Sequence, residues 1–145
     1  MARFRLPVFL LIFSFVAVVA TSRLAGADLF DIKFRLTNSV TVEALQFDVD
    51  YSAAGGEFVG LGDDVDCTTN GAINAVAAYN NDDGDTTLTE GFVNTAGFSG
   101  AVRVATCTFD AASAPAKADF AVTVTDWAPA GGTAPKVKVA GVVAQ

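Results

Sequence analysis

Apolar and polar residues alternate with a period of two along most of this chain. In "ALQFDVDY" (44–51), Leu45, Phe47, Val49 and Tyr51 fall on one side, and Ala44, Gln46, Asp48 and Asp50 on the other. Side chains of an extended strand point alternately to opposite faces, so this segment offers one face to a core and one to something else. The same rhythm sets Phe30, Ile32, Phe34 and Leu36 against Asp31, Lys33 and Arg35. Further strands are predicted at 56–61 (GEFVGL), 86–93 (TTLTEGFV), 101–110 (AVRVATCTFD), 119–127 (DFAVTVTDW) and 136–143 (KVKVAGVV). Segment 72–79 (AINAVAAY) has enough Ala for a helix, but its neighbours favour a strand. Gly, Asn, Asp and Pro separate the runs, which recur about every 10 to 15 residues, and no segment carries a sustained helical apolar stripe. The expected fold is an all-β sandwich or barrel of about eight or nine strands.

The beginning of the chain breaks the pattern. Arg3 and Arg5 precede an unbroken apolar run from Leu6 to Ala20, shorter than the ~20 residues that span a bilayer. Ala25-Gly26-Ala27 supplies a small-residue cleavage site, and Ala20 an earlier one. Residues 1–27 therefore read as a secretory signal peptide and 28–145 as one domain. The expected product is secreted, extracellular or periplasmic, with no membrane association after cleavage. Ala27 stands where a lipoprotein signal would carry its Cys, so no lipid anchor is expected.

Loss of that segment sharpens the charge. Arg3, Arg5 and Arg23 leave with it, so six Lys and Arg face all 16 Asp and Glu, a net charge of −10 against −7 for the whole chain. Such a surface repels phosphate backbones and argues against a nucleic-acid partner, while it attracts cations or a basic protein. Cys67 and Cys107 are the two cysteines. In an oxidising compartment an even count reads as a disulfide, here closing a loop of about 40 residues; two buried free thiols are the alternative. Without any His, two cysteines are too few for a zinc site. The eight Phe of 28–145 sit mostly in the strand runs and are expected in the core.

Catalytic chemistry is sparse. The absence of His removes imidazole acid–base schemes and the usual triads. Asp48 and Asp50 would stand about 7 Å apart on one strand face, but a solvated outer face explains them more simply than a glycosidase pair. In "YNNDDGDTTLTE" (79–90), taking Gly84 as the turn glycine of a calcium loop puts Asn81, Asp83, Asp85 and Glu90 at ligand positions. Tyr79 cannot chelate at the first position and no helices flank the loop, so only a loose surface calcium site at Asn81, Asp83 and Asp85 is kept open. Tyr79 and Trp127 are the candidate aromatic contacts for a sugar, since Tyr51 falls on the apolar face.

"ALQFDVDY" followed by "GEFVGLGDD" resembles the third strand and following segment of bacterial cohesin domains. "FVNTAGFSGAVRVATCTFD", "DFAVTVTDW" and "KVKVAGVV" are similar to later cohesin strands, so the resemblance runs over roughly residues 29 to 143. It implies a nine-stranded jelly-roll, related in fold to the family 2 and 3 carbohydrate-binding modules. It also implies a non-catalytic module that docks dockerin-bearing enzymes in polysaccharide-degrading assemblies. Carried over by position, the partner face would use Ala44, Gln46 and Asp48, with Glu90 and Arg103 from other strands. The chain departs from the family at Ser52-Ala53, where Asp-Pro is common, and in its cysteine pair. The expected function is a secreted protein-docking module that is not an enzyme. The alternatives are a carbohydrate-binding sandwich, with or without calcium, and an envelope protein whose edge strands pair with neighbours.

Overall fold

The computed structural model describes residues 27–129 and 132–145. The expected signal peptide lies outside the described residues except for its last position, Ala27. The strands, in chain order, are β1 (Asp28–Leu36), β2 (Thr41–Asp50), β3 (Gly56–Phe58), β4 (Cys67–Thr69), β5 (Val76–Asp82), β6 (Thr87–Ser99), β7 (Val102–Ala111), β8 (Ala121–Ala128) and β9 (Val137–Ala144). They form two antiparallel sheets. The front sheet has the order β5-β6-β2-β8; the back sheet has the order β3-β7-β1-β9, with β4 also on β7. This is the expected all-β sandwich.

The Ala-rich segment is not a helix. It opens with a single 3₁₀ turn, Gly71–Ile73, and then becomes β5. Asn70 starts that turn by accepting the Ala72 N–H on its side chain, and Asn74 ends it with φ of 44°, a left-handed conformation that Asn tolerates better than most residues. Strand β4 was not expected. It has three residues, too few to show an alternation. It nevertheless continues the line of β3, because both pair with the same side of β7. The chain leaves that line after Phe58 and returns at Cys67. The excursion bonds across to the front sheet through reciprocal Gly62–Asn81 backbone hydrogen bonds of 2.9 Å. Gly60 makes the excursion feasible: its φ is 90°, and an added Cβ would lie 2.4 Å from the Asp64 carbonyl oxygen.

Between the sheets lies the core. All eight Phe of 28–145 are buried there, each contributing about 1.5–3 kcal/mol through apolar burial. Rings of Phe34, Phe47, Phe58, Phe109 and Phe120 meet with centroids 5.0 to 6.4 Å apart. Strand β2 supplies Leu45, Phe47 and Val49 to the same space, and Tyr51 follows them. Cys67 and Cys107 face one another across β4 and β7 and are joined by a disulfide at a sequence separation of 40.

Candidate functional site

The polar half of β2 lies on the outer face of the front sheet. Antiparallel register sets its residues in rows. Gln46 lies opposite Gly91 of β6 on one side and Asp126 of β8 on the other, and Gly91 lies opposite Ala78 of β5. One row along, Ala44 sits between Val93 and Ala128, with Val76 beyond Val93. In the other direction Asp48 sits between Thr89 and Thr123. Beyond it, Asp50 and Asp82 flank Thr87. The face is therefore graded, small and apolar at one end and acidic at the other. Val76 is 78% exposed and Val93 52%, unusual for β-branched residues with no neighbour to cover them. The acidic end is held in place. Thr89 donates its hydroxyl to Asp48 Oδ1 at 2.8 Å. The backbone and side chain of Ser52 keep the Asp50 carboxyl below its usual pKa.

Gly91 marks the middle of this face. It sits inside β6, where glycine is roughly 0.5–1 kcal/mol less favourable than alanine. The fold does not require it. The nearest atom to an added Cβ is the Ala78 carbonyl oxygen at 3.9 Å, an ordinary contact. Gly91 lies in a shallow depression of about 450 Å³ that crosses all four strands, lined among others by Ala44, Gln46, Ala78, Val93, Asp126 and Trp127. A strand-interior glycine often marks a bulge, a tight bend or a site where another backbone or a ligand approaches closely, and the space over this one is open.

The remaining candidates divide. Ala44, Gln46 and Asp48 share the outer face as expected. Glu90 does not: it lies opposite Phe47, points into the core and has no exposed surface. Arg103 is exposed but belongs to β7 of the back sheet, so it and Gln46 face away from one another. Tyr79 lies opposite Glu90 and turns inward, where its hydroxyl meets Thr69 Oγ1 at 2.7 Å and its ring stands edge-on to Phe92. Trp127 lies opposite buried Leu45, is half-buried with its indole Nε1 buried and unpartnered, and is among the residues lining the depression. Tyr79 is therefore turned away from the outer face, and Trp127 borders it.

The acidic hairpin turn between β5 and β6 uses its side chains internally. Tyr51 shares its hydroxyl proton between Asn81 Oδ1 at 2.9 Å and Asp83 Oδ1 at 3.1 Å. Asn81, 2% exposed, donates to the Gly60 carbonyl at 2.8 Å and to Asp83 Oδ1 at 2.6 Å. Burial, reinforced by Asp83, raises the Tyr51 pKa and keeps its proton on the oxygen. Asp82 Oδ1 accepts the Gly84 and Asp85 N–H groups. Asn81 is thus a structural bracket between the sheets whose side-chain oxygen already accepts from Tyr51, and Asp85 is exposed. Among the described residues no three His, Cys, Asp or Glu side chains come together as a metal site.

Glu90 occupies a second buried polar position, on the core side of β6 and not on the partner face that the resemblance implies. Leu88, Glu90 and Phe92 alternate in β6, and that spacing alone puts Glu90 on the core side. Its Oε2 has no partner, and its Oε1 lies 3.8 Å from Cys107 Sγ. A disulfide sulfur carries no proton, so this is a contact and not a hydrogen bond. Burial pushes the carboxyl pKa well above the usual carboxylate range. Tyr79 beside it is raised too, by burial first and also by the charge of Glu90, with the Thr69 bond opposing. The chain matches no protein-family model, no curated protein and no solved structure.

Proposed function

We propose that the outer face of the front sheet docks a protein partner, in the manner expected of a cohesin-like module. The observation that carries this reading is Gly91, a mid-strand glycine that the fold does not need, at the floor of a depression on an exposed sheet. The grading of the face defines the partner's chemistry. Small or apolar side chains would seat against Val76, Val93 and Ala44, and Lys or Arg would reach Asp48, Asp50 and Asp82. Apolar contact at the Val76, Val93 and Ala44 end supplies most of the affinity, while the acidic end sets orientation and speeds encounter. A dockerin-type segment on a polysaccharide-degrading enzyme fits this description.

The test uses residues 28–145 as bait for secreted proteins of the producing organism, followed by titration of each purified candidate. Binding by wild type, lost in Gly91→Thr and weakened by salt and by Asp48→Lys, supports the reading. Equal binding by wild type and Gly91→Thr overturns it. So does retention on insoluble polysaccharide with no protein partner.

A further inference from the structure

Glu90 and the disulfide meet between the sheets, where β4 and β7 face β5 and β6. A fully buried carboxyl without a hydrogen-bonding partner costs free energy that an apolar side chain at the same position would not. Stability therefore gives no reason for a glutamate here. The two sulfurs beside it differ in position. Cys107 lies on an inner strand with no exposed surface, whereas Cys67 is partly exposed on the short edge strand β4. Of the two, Cys67 is the sulfur at which an incoming thiolate would attack, which would make Cys107 the leaving group. A thiolate released into an apolar core is a poor leaving group because burial raises its pKa. Glu90 Oε1, 3.8 Å from Cys107 Sγ, is within reach of an S–H···O hydrogen bond to that sulfur.

We propose that Cys67–Cys107 is an exchangeable disulfide, that Glu90 is the proton donor to Cys107, and that the co-reactant is a dithiol. The dithiol's thiolate attacks Cys67 Sγ. The S–S bond breaks, its electron pair passes to Cys107 Sγ, and Glu90 gives its proton to that sulfur. The dithiol's second thiolate then attacks its own sulfur in the mixed disulfide. Cys67 leaves as a thiolate and takes a proton from water, and Glu90 regains its proton from solvent. The protein gains two electrons and two protons, and the dithiol becomes a cyclic disulfide. Tyr79 from β5 is the other titratable group facing Glu90. Strand β2 presents Phe47 and strand β1 presents Ile32 alongside Cys107.

The folded protein is reduced with dithiothreitol from about pH 5.5 to about pH 8.5, and rates are divided by the concentration of reagent thiolate. The corrected wild-type rate falls as pH rises and Glu90 loses its proton. Glu90→Gln is slower by roughly ten-fold or more at the acidic end, and its rate no longer falls with pH. Glutathione, a monothiol, leaves its mixed disulfide on Cys67. Reduction of Glu90→Gln as fast as wild type overturns the proposal, as does a mixed disulfide on Cys107. Low urea separates this route from global unfolding. A rate that climbs with urea along the unfolding equilibrium overturns the proposal, and a rate that does not supports it.

Discussion

Two polar groups are buried between the same two sheets, nine residues apart on one β-hairpin, and they are treated in opposite ways. Asn81 at the turn end is fully engaged: Tyr51 donates to it, and it donates to Gly60 and Asp83. Glu90 has one oxygen without a partner and the other against sulfur. A satisfied buried group fixes geometry at little net cost, whereas an orphan one costs its desolvation. The contrast separates a bracket that holds the sandwich closed from a group whose presence stability does not explain. The disulfide lies on the orphan side and compensates there by restricting the unfolded chain.

Removing that covalent link gives the largest expected effect. Cys67→Ala with Cys107→Ala releases a 40-residue separation and should cost about 4 kcal/mol, read as a lower urea midpoint. A loss near zero would mean that the orphan side needs no staple. The bracket comes next. Asn81→Ala leaves the Gly60 carbonyl without its donor and Tyr51 with one acceptor, and should cost about 3 kcal/mol. Tyr51→Phe, which removes the donating hydroxyl and keeps the ring, should cost about 1 kcal/mol. If Asn81→Ala were as mild as Tyr51→Phe, the two buried groups would not differ in kind.

The pH dependence addresses the other member of the pair. Unfolded Glu90 titrates near the ordinary value of about 4.3, and the folded group titrates well above it. Between those values the folded protein holds a proton that the unfolded chain has released. Stability therefore falls as pH rises through that window, with a slope approaching about 1.4 kcal/mol per pH unit. Below the window the effect is absent, and above it the loss levels off. Urea midpoints at about pH 5 and pH 8 measure it. The difference between wild type and Glu90→Gln removes contributions from the acidic surface. A Glu90→Gln profile parallel to wild type would show that Glu90 is solvated.

Period two was enough to find most strands and the Phe core, because each strand buries one face and a slip of register would expose it. It was also enough to place Glu90. Leu88, Glu90 and Phe92 share a side, and resemblance to a partner-binding strand overrode that parity. Strand β4 was hidden by its length of three residues. Arg103 was misplaced for a different reason: alternation gives a side chain its face within a sheet but not which sheet the strand joins. The rows across Gln46 and Gly91 also depend on pairing, including register shifts between Val42 and Ala44 and between Gln46 and Phe47. No local pattern encodes those shifts. Asn81 reads as a calcium ligand in sequence because its partners, Tyr51 and Gly60, are distant in the chain.

The smallest expected change in stability is the most informative about the outer face. Gly91→Thr places a β-branched side chain between Gln46 and Ala78, where an added Cβ meets nothing closer than 3.9 Å. Threonine favours a pleated strand and also restricts the unfolded chain, so the variant should gain roughly 0.5 kcal/mol. The urea midpoint should rise slightly. The same side chain projects into the depression and blocks close approach over Gly91. Stability and docking should thus move in opposite directions at this one position, whereas at Asn81 they should fall together because the sheet itself loosens. A Gly91→Thr protein less stable than wild type would mean that the fold needs this glycine, and the glycine would no longer point to a partner.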